Sequence, residues 1–90
     1  MKEEYKKFRR KQIAELRNVT SHDIQRFKEL AGNLPADCEE QGFYVSISDV
    51  DRQSGSPKKG DMIARNPKNH QDQWLIAKDY FEENFESINQ

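Results

Sequence analysis

Residues 60–76 read GDMIARNPKNHQDQWLI and hold two short apolar runs on either side of a polar stretch. Residues 60–65 form the first run, and residues 73–76 resume the apolar pattern after the polar connection 66–72. Short apolar runs joined by turn-forming residues are typical of a β-hairpin. We therefore predict a hairpin with an elaborated connecting loop.

The segments around this hairpin predict further elements. Residues 77–84, AKDYFEEN, indicate a short helix, and residues 85–88, FESI, a final edge strand. Upstream, residues 43–48, FYVSIS, are β-branched and aromatic, which is typical of a strand. Ser48 with Asp51 predicts a single capped helical turn. The predicted core around the hairpin is Met62 or Ile63, Trp74, Ile76, Tyr80, Phe81 and Phe85.

Residues 20–32 carry the clearest helix signal. Thr20 is a hydroxyl cap, and Asp23 follows three residues later. Gly32 predicts the end of the helix. The apolar residues with helical spacing between these signals are Ile24, Phe27, Leu30 and Ala31.

The composition limits the classes of partner. The chain has 90 residues, with fifteen Lys and Arg against sixteen Asp and Glu, and a net charge of -1. This argues against a bulk nucleic-acid binder and against an acidic DNA mimic. Residues 1–35 hold nine Lys and Arg against five Asp and Glu (+4), and residues 36–90 hold six against eleven (-5). We favour packing of the two halves in one domain, with separate basic and acidic faces as the alternative.

Cysteine content and hydropathy limit the cellular compartments in which we expect the protein. Cys38 is the only cysteine, which excludes a disulfide framework and a cysteine-based zinc site and fits a reducing cytoplasm. No stretch approaches the ~20 apolar residues of a membrane span, so we expect no membrane partner. Apolar residues make up 33% of the chain, which predicts a small core. A homodimer would bury more apolar surface, and we keep it as an alternative to a monomer.

The sequence holds no catalytic or metal-binding constellation. His22 and His70 form no HxxxH or HExxH pair, and no nucleophile or second ligand accompanies them. Residues 49–60 fail as a calcium loop, because Ser54 stands where Gly is needed and Gly60 where a bidentate Glu is needed. We therefore expect no enzyme, no catalytic residue, no cofactor and no metal.

Two segments are candidates for binding. Side chains of the polar connection can bond to its own backbone and form a rigid recognition loop, with a self-bonded turn that binds nothing as the alternative. Its candidate protein-binding residues are Arg65, Asn66, Asn69, His70, Asp72 and Gln73. The other segment is the densest basic run, which lies beside aromatic residues. Its candidate nucleic-acid contacts are Lys7, Arg9, Arg10 and Lys11.

The two ends of the chain resemble a group of small proteins encoded by tailed bacteriophages and prophages. These proteins begin with a YKxFRRK-like segment, here residues 5–11, and end with a GDMIARNPKNHxDQWLxAxxYFxxNFE-like segment, here residues 60–86. The resemblance is strongest over residues 56–86 and does not extend to residues 18–42. It implies an accessory protein made in the cytoplasm of a bacterial host, and it carries over no activity, cofactor or catalytic residue.

The resemblance also bears on residues 8–17, FRRKQIAELR. Their composition favours a helix and their periodicity decides nothing, but the analogy with small phage domains implies a strand. We expect an α+β fold in a single domain, residues 1–90, with residues 1–6 frayed. Its small antiparallel sheet would have about four to five strands, with one helix near 20–32 and a short helix near 77–84.

These observations lead to two hypotheses of function. The first is a non-enzymatic phage or prophage accessory protein that binds a host or phage protein through the polar loop. The alternative is a nucleic-acid-associated module that uses the basic segment near the N-terminus.

Overall fold

The computed structural model describes residues 14–84. Its elements are β1 (Glu15–Asn18), α1 (Ser21–Glu29), α2 (Asp49–Gln53), β2 (Met62–Asn66), β3 (Asn69–Ile76) and α3 (Lys78–Asn84). The strands form one antiparallel sheet in the order β1-β2-β3. The α+β class is confirmed, but residues 14–84 contain three strands of this sheet and not four to five. The predicted edge strand 85–88, the predicted frayed start 1–6 and most of the predicted strand 8–17 lie outside the described residues.

The predicted strand at residues 43–48 is wrong as an element of the sheet. Within the described residues this segment forms two isolated bridges, an antiparallel one between Tyr44 and Pro35 and a parallel one between Ser46 and Trp74. Pro35 has no N–H with which to continue a ladder. Helix α2 begins directly after the segment, so the extended backbone ends before a strand can form.

The two capped helix starts are confirmed. The Thr20 hydroxyl accepts a hydrogen bond from the Asp23 N–H (3.2 Å), and the Asp23 carboxylate accepts one from the Thr20 N–H (2.8 Å). This is a reciprocal capping box at the start of α1. Helix α2 starts with the Ser48 hydroxyl accepting from the Asp51 N–H at 3.1 Å. Both caps depend on neighbouring residues alone, which is why the sequence predicts them.

Helix α1 ends at Glu29, three residues before its predicted limit. Ala31 and Gly32 follow in the left-handed region, with φ of 56° and 88°. The Gly32 N–H donates to the Phe27 carbonyl at 2.8 Å and so satisfies a carbonyl of the last helical turn. A left-handed residue with a Cβ is unfavourable, which makes Ala31 a strained position.

The substitution Ala31→Gly should stabilise the fold by about 0.5–1 kcal/mol, because glycine adopts positive φ without a steric penalty. Urea unfolding measures the change. Ala36→Gly is the matched control, since it adds the same backbone freedom at a position without positive φ and should not stabilise. Equal shifts for the two variants would contradict strain at Ala31.

The predicted hairpin is confirmed, but most of its polar connection is strand and not loop. Strand β2 ends at Asn66 and β3 begins at Asn69, so two residues form the turn. Arg65 lies opposite Gln73, whereas Asn66 lies opposite Asn69. Residues 70–72 therefore have no counterpart on β2 and form a bulge, which supplies the irregularity that the sequence predicted as a loop.

One face of the sheet carries the core. Ile63 and Leu75 lie opposite each other on β2 and β3, and both are buried. Their buried and half-buried neighbours are Val19, Leu34, Val45, Ile24, Phe27 and Ile47. Residues two apart on a strand point to the same side, so Arg65 and Gln73 continue this face beyond the core.

The predicted core residues near the hairpin are confirmed in part. Ile63 and Ile76 are buried, and Trp74 is half-buried. Tyr80 is 58% exposed and was wrongly predicted as core, since the described residues of α3 include no buried side chain. Phe85 lies outside the described residues.

Candidate functional site

The end of the hairpin, residues 65–73, is held by hydrogen bonds from its own asparagines. Asn66 Oδ1 accepts from the Lys68 N–H at 2.9 Å, and Asn69 Oδ1 accepts from the Gln71 N–H at 3.2 Å. The predicted bonding of these two side chains to local backbone is confirmed. The hairpin end is therefore a bonded turn, whereas Asp72 is exposed and takes no part in it.

Gln73 is a structural residue and not an exposed contact. It is 3% exposed, and its Nε2 donates to the carbonyls of Asp37 (3.0 Å) and His70 (2.8 Å). Its Oε1 accepts from the Asp37 N–H at 3.3 Å. The side-chain amide thus bonds both backbone groups of Asp37, as a neighbouring strand would. Its prediction as a surface recognition residue does not fit this burial.

The segment that Gln73 holds is residues 37–42, which we call the strap. The strap lies beside the hairpin end, where Gln71 Nε2 donates to the Glu40 carboxylate at 2.6 Å. Within the strap, the Cys38 thiol donates to the Glu40 carbonyl at 3.0 Å. Two glutamine side chains of β3 therefore tie the strap to the sheet.

Two open clefts flank the strap. One, of about 310 Å³, is lined by Arg65 and Gln73 of the hairpin end and by Asp37 of the strap, among others. The other, of about 320 Å³, is lined by Asn69 and His70 and by strap residues 38–40, among others. Four of the predicted protein-binding residues thus line clefts, and the strap is the wall between them.

A row of polar side chains, Glu15, Arg65 and His70, crosses the sheet beside the first cleft. Arg65 Nε donates to Glu15 Oε1 at 2.9 Å, and His70 Nε2 lies 3.6 Å from the same oxygen. All three side chains are more than a third exposed. An exposed pair of this kind contributes at most about 1 kcal/mol to stability, so these groups are available to a partner at little cost to the fold.

A second ion pair joins β1 to α1 and is better protected from water. Arg17 donates to both carboxylate oxygens of Asp23, at 2.7 and 3.1 Å. The side chain of Asp23 is 10% exposed and that of Arg17 is 36% exposed. Arg17 and Asp37 also line a third cleft, of about 440 Å³, between the start of α1 and residues 34–37.

This pairing changes the acidity of both groups. Desolvation by burial is the largest influence on Asp23 and raises its pKa, but hydrogen bonds from Arg17 and Thr20, with the charge of Arg17, together lower the pKa below its usual range. The hydrogen bond to Asp23 raises the pKa of Arg17 against the opposing effect of burial. The pair is therefore fully charged at neutral pH.

Acid should weaken the fold through Asp23. Because its pKa is lower in the folded chain, its stabilisation is fully present above the unfolded-state pKa of about 3.9 and is lost as pH falls through the folded value. Urea unfolding midpoints of the wild type and of Asp23→Asn should differ most at neutral pH. The difference should shrink as pH falls through the lowered folded-state pKa of Asp23. A difference that acid leaves unchanged would contradict the lowered pKa.

Asp61 forms the most deeply buried polar cluster of the described chain. It is 0% exposed, and its carboxylate accepts from the Ser56 hydroxyl (2.7 Å), the Lys58 N–H (3.0 Å) and the Lys78 N–H (3.0 Å). Lys58 Nζ lies 3.9 Å from the same carboxylate. Ser56 is 2% exposed, and its hydroxyl donates a hydrogen bond to Asp61. The cluster fastens the turn before β2 to the start of α3.

The histidines lie apart from each other on the surface. His22 is exposed in the first turn of α1, and His70 is exposed on β3. In residues 14–84, no group of three or more His, Cys, Asp or Glu side chains is placed to hold a metal ion. None of the helices there is long and apolar enough to span a bilayer. The candidate nucleic-acid contacts Lys7, Arg9, Arg10 and Lys11 lie outside the described residues.

No protein-family model, curated protein or solved structure matches this chain.

The residues with the strongest structural roles were not predicted from the sequence. Asp61, Gln73 and the Arg17–Asp23 pair act across the fold, between segments that the sequence does not place together. The sequence does contain one usable signal, the capping box, which marks Asp23 but not its pairing with Arg17.

Proposed function

We propose that the protein is a non-enzymatic accessory protein of a phage or prophage that acts by binding a host or phage protein through its hairpin end. In this proposal it works in the cytoplasm of a bacterial host. The observation that carries the binding surface is the pair of open clefts on either side of the strap, lined by half-buried Arg65 and by exposed Asn69 and His70.

The rigidity of this region supports a binding role. The asparagine-bonded turn and the bond from the buried amide of Gln73 to the His70 carbonyl fix the backbone on which the binding side chains stand. A prearranged surface loses less conformational entropy when a partner binds. The polar row of Glu15, Arg65 and His70 offers donors and acceptors to a partner, with Glu15 and Arg65 at the first cleft and His70 at the second, and polar contacts of this kind give specificity.

The test is capture of a partner from host cells with and without phage infection, followed by cross-linking. The double variant Arg65→Ala, His70→Ala should lose the captured protein. The matched control Lys28→Ala, Lys59→Ala removes two exposed charges elsewhere and should retain it. Circular dichroism should show that both variants are folded. We would abandon the proposal if no specific partner is captured, or if both double variants capture it equally.

The alternative is a nucleic-acid-associated module. The observation that favours it is the basic run that contains Lys7, Arg9, Arg10 and Lys11 in a first third of net charge +4, from nine basic and five acidic residues. Binding of DNA or RNA should then fall steeply with salt, and charge reversal at Arg9, Arg10 and Lys11 should abolish it. Absence of any mobility shift at low salt would exclude this alternative.

A further inference from the structure

We propose that the strap, residues 37–42, opens as a unit while the sheet and α1 stay folded, and that the side-chain amide of Gln73 is its latch.

The two ends of the strap continue into well-anchored backbone. Leu34 and Val45 are 2% and 3% exposed, and the Val45 N–H donates to the Leu34 carbonyl at 2.8 Å. The Ala36 N–H donates to the Phe43 carbonyl, also at 2.8 Å. These bonds join residues 34–36 to residues 43–45 at the base of the strap, and we call these two paired segments the neck. The neck can stay closed when the strap moves.

The strap itself has little to hold it in the apolar core. It reads DCEEQG, and only Cys38 is half-buried, while the other side chains are exposed. Gly42, at its end, has φ of 95° with open space where a Cβ would lie. Segments with few buried apolar contacts open at a lower free energy than the core. The strap is therefore suited to local opening.

The contacts that keep the strap closed are polar and come from side chains. Gln73 bonds both backbone groups of Asp37, and Gln71 bonds the Glu40 carboxylate. The backbone bonds that reach this side of β3 come from Ser46, beyond the strap. When the strap leaves, water can replace each lost bond, because the freed groups become exposed.

Opening would change the surface on which the proposed function rests. Asp37 is a wall of the first cleft, and residues 38–40 are a wall of the second. Removing both walls would join the surfaces at Arg65 and at Asn69 into one groove along the hairpin end. The opening itself is a property of the free protein, so it can be tested and can fail without reference to a partner.

The rate at which a reagent modifies the Cys38 thiol measures opening of the strap in the protein without any substitution. We expect a thiol reagent to modify Cys38 more slowly in the native protein than in the urea-unfolded chain. Below the unfolding transition, opening of the strap alone should make the rate change less than about twofold over about 2 M urea. Modification through global unfolding would accelerate about thirtyfold over the same range. In amide exchange, the Asp37 N–H should exchange faster than the Val45 N–H.

Variants of the latch give the second measurement. Gln71→Ala should speed modification of Cys38 about three- to tenfold, and Gln73→Ala by more, because each removes bonds that exist only in the closed strap. Gln25→Ala, on the exposed side of α1, is the control and should leave the rate unchanged. Gln71 is half-buried and its bond to Glu40 lies at the surface, so its variant remains informative if Gln73→Ala unfolds the chain.

Four results would overturn the proposal. If urea accelerates modification of Cys38 as steeply as global unfolding does, the strap opens only together with the core. Exchange of Asp37 and Val45 at one common rate would show that the neck opens with the strap. Equal rates for Gln71→Ala and Gln25→Ala, or modification of the native thiol as fast as of the unfolded chain, would show that no latch closes the strap.

Discussion

Asp61→Ala should destabilise the fold by about 4 kcal/mol, since it leaves the Ser56 hydroxyl and the N–H groups of Lys58 and Lys78 buried without their acceptor. For a domain of this size that is a large part of the total stability and lowers the melting temperature by about 20 °C. Urea unfolding and thermal melts followed by circular dichroism measure both quantities.

Two further variants test the cause. Asp61→Asn keeps the shape and one acceptor oxygen, so it should lose about half as much as Asp61→Ala. Asp72→Ala removes an exposed aspartate on β3 and should change stability by less than about 0.5 kcal/mol. If Asp61→Ala costs no more than Asp72→Ala, the buried cluster does not join the turn to α3 as the hydrogen bonds indicate.

Asp23→Ala should cost about 3 kcal/mol. It removes the bidentate partner of Arg17 and the acceptor for the Thr20 N–H, and it leaves the Arg17 charge without its counter-ion. A double-mutant cycle with Arg17→Ala isolates the pair itself. We expect a coupling energy above about 1 kcal/mol, because Arg17 bonds both carboxylate oxygens of Asp23 and the Asp23 side chain is 10% exposed.

The exposed pair on the same sheet face is the control for this cycle. Arg65 and Glu15 are 39% and 49% exposed in their side chains, and their coupling should stay below about 1 kcal/mol. Similar coupling for the two pairs would contradict the view that burial of Asp23 and its capping bonds strengthen the first pair.

The parts of the fold that depend on near neighbours were predictable. The caps at Thr20 and Ser48 need only a residue three positions away, and the hairpin needs two apolar runs and a turn. The segment 43–48 shows why an alternating apolar pattern is insufficient to predict a strand. Its alternation does place Val45 in the core and Ile47 against it, but a strand also needs a long partner edge. Pro35 cannot continue the ladder beside Tyr44, and α2 begins directly after the segment.

The buried polar residues could not be predicted, because burial of a polar side chain depends on donors brought together by the whole fold. Nothing local distinguishes buried Asp61 from exposed Asp72, or buried Gln73 from half-buried Gln71. For the candidate site, the sequence indicated the correct stretch and the asparagine-bonded turn. It could not indicate the strap, since the pairing of Gln73 with Asp37 joins segments far apart in the chain.

The bridge between Ser46 and Trp74 also has a consequence for the behaviour of the protein at high concentration. An open strand edge is a template for pairing with other chains and promotes aggregation. Ser46 occupies backbone groups of β3 on either side of Trp74, whereas the strap contacts the side chains of Gln71 and Gln73. The bridge at Ser46 therefore shields this part of β3 from strand-to-strand association.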